Sequence, residues 1–138
     1  MASIGQLLTE ERGRLTVRRV LSVDNGQATV ETTFETEGSL HHVHYTTLGT
    51  IQSAIRPDGT LYGDVKGGLR TDSNDTGVYR GIIGGTYTAG TPHGRTYRGA
   101  ITFENAVGAF AELNSVLAVF ELDIDDAGKA SLRTWELV

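Results

Sequence analysis

The segment VLAVFELDIDDAGKASLRTWEL, Val116 to Leu137, reads as two strands joined by a turn. Val116, Ala118, Phe120, Leu122 and Ile124 share one parity, and Glu121 and Asp123 share the other. A period of two is the mark of a half-buried strand, because successive side chains point to opposite faces of a sheet. Asp125 to Gly128 supplies turn chemistry, and a second β-rich run follows to Leu137. The unit is an antiparallel hairpin.

The same grammar extends back along the chain. Asp24-Asn25-Gly26, Glu37-Gly38, Pro57-Asp58-Gly59, Asp72 to Gly77 and Ala89 to Gly94 are further turn marks, and Asn25-Gly26 suits a two-residue hairpin. Between these marks lie runs rich in Val, Thr, Ile, Tyr and Phe. Strands are predicted near 4–10, 14–23, 27–36, 40–56, 60–69, 78–88, 95–104, 115–124 and 129–137. Their regular spacing and mostly short links predict an all-β fold, an antiparallel up-and-down meander of eight or nine strands. Closing that meander into a barrel removes its two long edges. Gly49 is expected to bend the long fourth strand, and a bulge there would switch the parity of its side chains. One segment departs from the pattern. In residues 105–114, NAVGAFAELN, near-helical spacing of Ala106, Phe110 and Leu113 behind an Asn105 N-cap predicts a short helix plugging one end of the barrel.

Composition bounds the function. The 138 residues, 1–138, suit a single domain able to bury one core. With no cysteine, disulfides, thiolate metal sites and thiol nucleophiles are excluded. A net charge of −5, with Lys and Arg scattered, argues against nucleic acid. The N-terminal residues lack a signal-peptide core and no run reaches the ~20 apolar residues of a membrane span, so a cytoplasmic protein without a membrane partner is expected. There is no G-x-S-x-G elbow and no P-loop, and Gly81 to Gly85 runs into Thr86-Tyr87-Thr88 rather than a helix.

RGAITFENA (98–106) followed by LNSVLAVFELDIDDAGKASLRTWEL (113–137), together with VRRVLSVDNG (17–26) and RPDGTLYGD (56–64), resembles small bacterial and archaeal barrel proteins of calycin or allene-oxide-cyclase-like architecture. Within these the resemblance is to a largely uncharacterised family, through turns, glycines and an aromatic last strand rather than a catalytic motif. Barrels of this architecture include cyclases and isomerases that hold a hydrophobic substrate, often without a cofactor. The resemblance therefore implies a ligand cavity, and no residue role.

Candidate residues follow from chemistry. On a strand, His42 and His44 share a face. The pair could begin a zinc or iron site, but no third ligand is nominated by spacing, so no metal is expected. The favoured reading is of surface or rim histidines beside Glu35 and Glu37, with an acid–base role left open. Glu121 in VLAVFELDI is either on the outer face or desolvated inside, where it would make a general acid or base with Arg98 or Arg19 as partner. Phe34, Tyr45, Tyr79 and Tyr97 are candidates to line a pocket, where a tyrosine can donate to a developing oxyanion. Trp135 is expected to cover the core and to join the substrate-binding set.

Two functions are carried forward. One is a cofactor-independent isomerase, cyclase or lyase for a small, partly hydrophobic molecule, with Glu121, His42, His44 and Arg98 as its acid–base and anion-holding groups. The other is a lipocalin-like protein that binds such a molecule unchanged. Apolar residues on both strand faces also predict a homo-oligomer.

Overall fold

A computed structural model describes all residues, 1–138. Eight strands close a barrel in chain order, each antiparallel to its neighbours. They are β1 (Ile4–Asp24), β2 (Gln27–Leu40), β3 (Val43–Ile55), β4 (Thr60–Thr71), β5 (Thr76–Tyr87), β6 (Arg95–Glu104), β7 (Leu117–Ile124) and β8 (Lys129–Leu137). The meander and its closure are as the patterning predicts. No helix is long and apolar enough to cross a membrane.

The count is eight because the two N-terminal runs are one strand. β1 carries straight through Glu11-Arg12-Gly13, and Gly13 marks a close approach rather than a turn. A Cβ on Gly13 would stand 1.9 Å from the Glu35 carbonyl oxygen on β2. Only glycine fits there. β1 pairs with β8 from Ile4 to Arg14 and with β2 from Glu11 to Asp24. Nearly half of it therefore leaves the β8 seam and continues with β2 alone, as an arm exposing Val17, Val20, Leu21 and Val23.

A second turn is displaced. Glu37-Gly38 lies inside β2, and the chain reverses instead at His41-His42, with φ of 49° and 67°. Both values are left-handed, as a two-residue hairpin turn demands, and histidine is among the residues that tolerate this region. Asn25-Gly26, at 51° and 75°, behaves as its sequence predicts.

Gly49 makes no bend. The β2–β3 and β3–β4 registers run without a shift past it. Gly49 pairs with Gly67 on β4, and together they leave a seat in the inner wall for the ring of Tyr79. A Cβ on Gly49 would sit within 2.8 Å of two Phe34 ring atoms. The barrel core is thus built by large rings placed over missing side chains, which is how a small barrel fills its taper.

The plug is present but shorter than predicted. A 3-10 helix, Gly108–Ser115, buries Phe110 and Leu113. Val107 is its N-cap, and Asn105 instead takes a left-handed turn conformation at φ 52°. Asn114 fastens the segment: its Oδ1 accepts from the Ala106 amide and its Nδ2 donates to the Ala106 carbonyl.

Candidate ligand site

Beneath the 3-10 plug, one half of the barrel interior holds a small chamber of about 40 Å³. Leu8, Phe34, Leu69, Phe103, Phe110 and Phe120 supply most of its apolar wall, and Glu11, Tyr45 and Tyr79 its ionisable groups. The register of β1 against β8 shifts between Leu7 and Thr9, so that Leu8 and Thr9 both reach the chamber and Glu11 follows on the inner parity. A bulge has that effect because one extra residue exchanges the faces of the strand.

Glu11 is 5 % exposed. Its Oε1 accepts from the Thr36 hydroxyl and its Oε2 from the Tyr45 phenol, each at 2.6 Å. Burial holds its carboxyl above the usual carboxylate range, even though both hydrogen bonds pull the other way. Burial raises the Tyr45 phenol too, reinforced by the neighbouring Glu11 charge, and it raises Tyr79 for the same two reasons. Phe110 of the plug meets the Tyr45 ring edge-on, at 5.6 Å between centroids. The plug and the carboxyl network are therefore in contact through one side chain.

The Tyr79 hydroxyl is buried and makes no hydrogen bond of ordinary geometry. The Thr47 hydroxyl beside it donates to the Gly68 carbonyl at 3.0 Å. A buried hydroxyl left unpaired costs on the order of 1–3 kcal/mol. The chamber thus holds a satisfied carboxyl at one point, while an unpaired hydroxyl sits in its wall against Gly49 and Gly67 at another, within an apolar surround.

The sequence candidates divide between inside and outside. Phe34, Tyr45 and Tyr79 line the chamber. Tyr97 is interior but belongs to the opposite half, where its hydroxyl accepts from Arg95 Nε at 2.9 Å. Glu121 faces outward on β7, directly between Arg98 on β6 and Arg133 on β8. It binds Arg98 at 2.9 Å and approaches Arg133 at 3.9 Å, forming a surface charge ladder rather than a buried acid. The parity that buries Phe120 and Leu122 necessarily turns Glu121 out. Arg98 is correspondingly exposed and outside the chamber. His42 stands in the exposed β2–β3 turn, while His44 sits at the rim, 3.3 Å from Glu37 and 3.9 Å from Asp72. The turn at 41–42 breaks the strand that would have aligned the two imidazoles. Trp135 lies half-buried on the outer wall, paired with Leu7 and Val119 and flanked by Arg133.

Glu11 and Thr36 are the functional-site residues that the patterning missed. Thr9, Glu11, Gly13 and Leu15 share one parity in an unbroken run, which becomes visible once Gly13 is a packing position.

No protein-family model matches the chain, and no curated protein matches it. Among solved structures, a protein of unknown function from Clostridium acetobutylicum is similar at 12 % identity and TM-score 0.79, covering all of both chains. A conserved protein of unknown function from Rhodopseudomonas palustris has the same identity and TM-score over 99 % of each chain. A β-barrel-like protein from Acinetobacter baumannii reaches 0.77 at 13 % identity, over 100 % of this chain and 97 % of its own. At such identities the likeness is one of fold.

Proposed function

We propose that the barrel is a small-molecule binding protein for a compact, mostly apolar molecule with one hydrogen-bond-accepting head, such as a carbonyl. The observation that carries this reading is an unpaired Tyr79 hydroxyl beside an apolar chamber that also holds the buried Glu11 carboxyl. Apolar side chains of similar volume would pack such a core at lower cost than ionisable ones. A ligand carbonyl accepting from Tyr79, once the phenol turns out of its glycine seat, would recover the unmade bond. At about 40 Å³ the chamber is far below the roughly 300 Å³ of ordinary ligand sites, so a larger guest has to displace Phe110 and Leu113 of the plug. The reading accords with the calycin or allene-oxide-cyclase-like resemblance, requires no cofactor, and suits a cytoplasmic protein.

The raised Glu11 carboxyl favours a second reading on the same chamber. A carboxyl poised above its usual range can exchange a proton with a bound carbonyl compound while Tyr79 polarises the oxygen, as in cofactor-independent isomerases and cyclases.

Titration with medium-chain ketones, alcohols and the matching alkanes, followed by tyrosine and tryptophan fluorescence, tests the binding reading. Ketones should bind best, and Tyr79→Phe should weaken them by roughly tenfold, the worth of one hydrogen bond, without affecting alkanes. Ketone and alkane binding alike, or neither binding even to Phe110→Ala, would overturn it. Deuterium incorporation next to the ketone carbonyl, lost in Glu11→Gln while binding persists, would select the enzyme.

A further inference from the structure

The barrel has a second opening, at the end opposite the plug. The β1–β8 ladder ends where Arg14 pairs with Lys129, followed by one last bond from the Leu15 amide to the Gly128 carbonyl at 2.9 Å, and beyond it residues 16–18 diverge from the β7–β8 turn. The resulting cleft, about 400 Å³, is lined by Leu15, Arg18, His93, Arg95, Asp125 and Asp126, among others.

Arg95 is the unusual member. It is 1 % exposed, the largest fully buried side chain in the protein. Its Nε donates to the Tyr97 hydroxyl at 2.9 Å and its Nη1 to the His93 carbonyl at 2.7 Å. Its Nη2 is buried and has no partner. None of the ion pairs in the protein includes Arg95. The two carboxylates that share the cleft lining form no ion pair with Arg95 and are held by backbone amides. Asp125 accepts from the Ala127 and Lys129 amides, closing its own turn, and Asp126 accepts from the His93 amide at 2.8 Å. At the mouth, Arg18 is held by its Nη2 bond to the Tyr87 hydroxyl at 2.9 Å.

A guanidinium keeps its charge in proteins, so burial cannot be relieved by losing a proton. A buried charge without a directly paired counter-charge is costly for a fold to hold. Two of the three guanidinium nitrogens are fixed by neutral oxygens, which orients the group without neutralising it. The third is unpaired but shielded, so a ligand has to part the lining of the cleft to reach it, and carboxylates and phosphates are the partners whose geometry a guanidinium matches.

We propose that this cleft is a second binding site, distinct from the plugged chamber, in which the Arg95 guanidinium receives a small oxyanion, a carboxylate or a phosphate group. Arg18 adds a second positive charge at the mouth, and the cleft volume leaves room for a small organic acid rather than a bare ion alone.

The test uses the intact protein in chloride buffer at constant ionic strength, titrated separately with inorganic phosphate and with acetate. Saturable increases in melting temperature above the chloride control are expected, with the Arg95 Nε–H resonance moving at the same midpoint. Arg95→Met should abolish both, and Arg18→Ala should weaken the midpoint several-fold while leaving the fold intact. Saturation by phosphate alone would assign a phosphate-bearing ligand, and by acetate alone a carboxylate. A melting shift no larger than chloride produces, or one that survives in Arg95→Met, overturns the proposal. Should Arg95→Met fail to fold, the wild-type resonance decides: unmoved at tens of millimolar of both anions, it leaves no site.

Discussion

Glu11 and Tyr45, 34 positions apart in the chain, meet inside the barrel through a 2.6 Å hydrogen bond from phenol to carboxyl. Since burial raises Glu11, the folded chain holds a proton that the unfolded chain releases near the ordinary value of about 4.3. Below that value both states are protonated and the contribution to stability is complete. As pH climbs toward the raised native value, the unfolded state binds fewer protons and stability declines, levelling off above it.

Glu11→Gln removes that dependence. Urea unfolding from about pH 4 to pH 8 should show wild-type stability falling relative to Gln across the window between the two values. A wild-type-minus-variant difference that stays flat, or rises, would contradict a buried carboxyl with a raised native value.

Tyr79 and its glycine seat yield a packing prediction. A Cβ on Gly49 would lie 2.4 Å from the Tyr79 hydroxyl oxygen, and one on Gly67 would meet the same atom at 2.4 Å. Gly49→Ala should therefore cost roughly 1–3 kcal/mol by overpacking. Combining it with Tyr79→Leu should cost less than the two changes summed, because the shorter side chain vacates the seat. Additive costs in a double-mutant cycle would show that the ring does not occupy that seat.

The Arg98–Glu121–Arg133 ladder should matter little. Its arginines are largely exposed, and exposed pairs contribute about 0–1 kcal/mol. Arg98→Ala should lower stability by less than about 1 kcal/mol, and the deficit should shrink at high salt. A loss of several kcal/mol in urea titration would place Glu121 in a far drier setting than the outer wall.

How much was legible in the sequence depends on which physical cue a residue carries. Strand parity identified the hairpin from Val116 to Leu137, and Asn25-Gly26 announced the β1–β2 turn, because both cues are local. Glycine carries two meanings that composition does not separate. Gly13 and Gly38 resemble turn residues yet serve where neighbouring backbones crowd, and Gly49 resembles a bend yet seats a ring. Misplacing the turn at Gly38 moved His42 from a turn into a strand and created an apparent His-x-His face. Splitting β1 at Gly13 hid Glu11, whose partners Thr36 and Tyr45 come from two other strands. Glu121 was ambiguous for a different reason: parity names two faces but not which of them is dry.

The exposed β1–β2 arm leads us to predict self-association. Val17, Val20, Leu21 and Val23 are all more than a third exposed on a strand whose outer edge no other strand pairs beyond Leu15. Light scattering at tens of micromolar should report more than one copy, and Val20→Glu should return the protein to a monomer. A strict monomer in the wild type would mean that the arm stays bare.

The seam between β1 and β8 sets an order on folding. Ile4 pairs with Leu137, so the barrel closes by joining nearly the first residue to nearly the last. Every other ladder joins strands consecutive in the chain, and each can zip from its own turn as synthesis proceeds. The seam alone spans the full contact order of the protein, and loop-closure entropy makes such contacts late and slow. Until the final strand emerges from the ribosome, Glu11 has no roof and the edge of β1 stays open to a neighbouring chain. The folding chain is therefore most exposed to mispairing while β1 to β7 are paired and β8 has not yet docked.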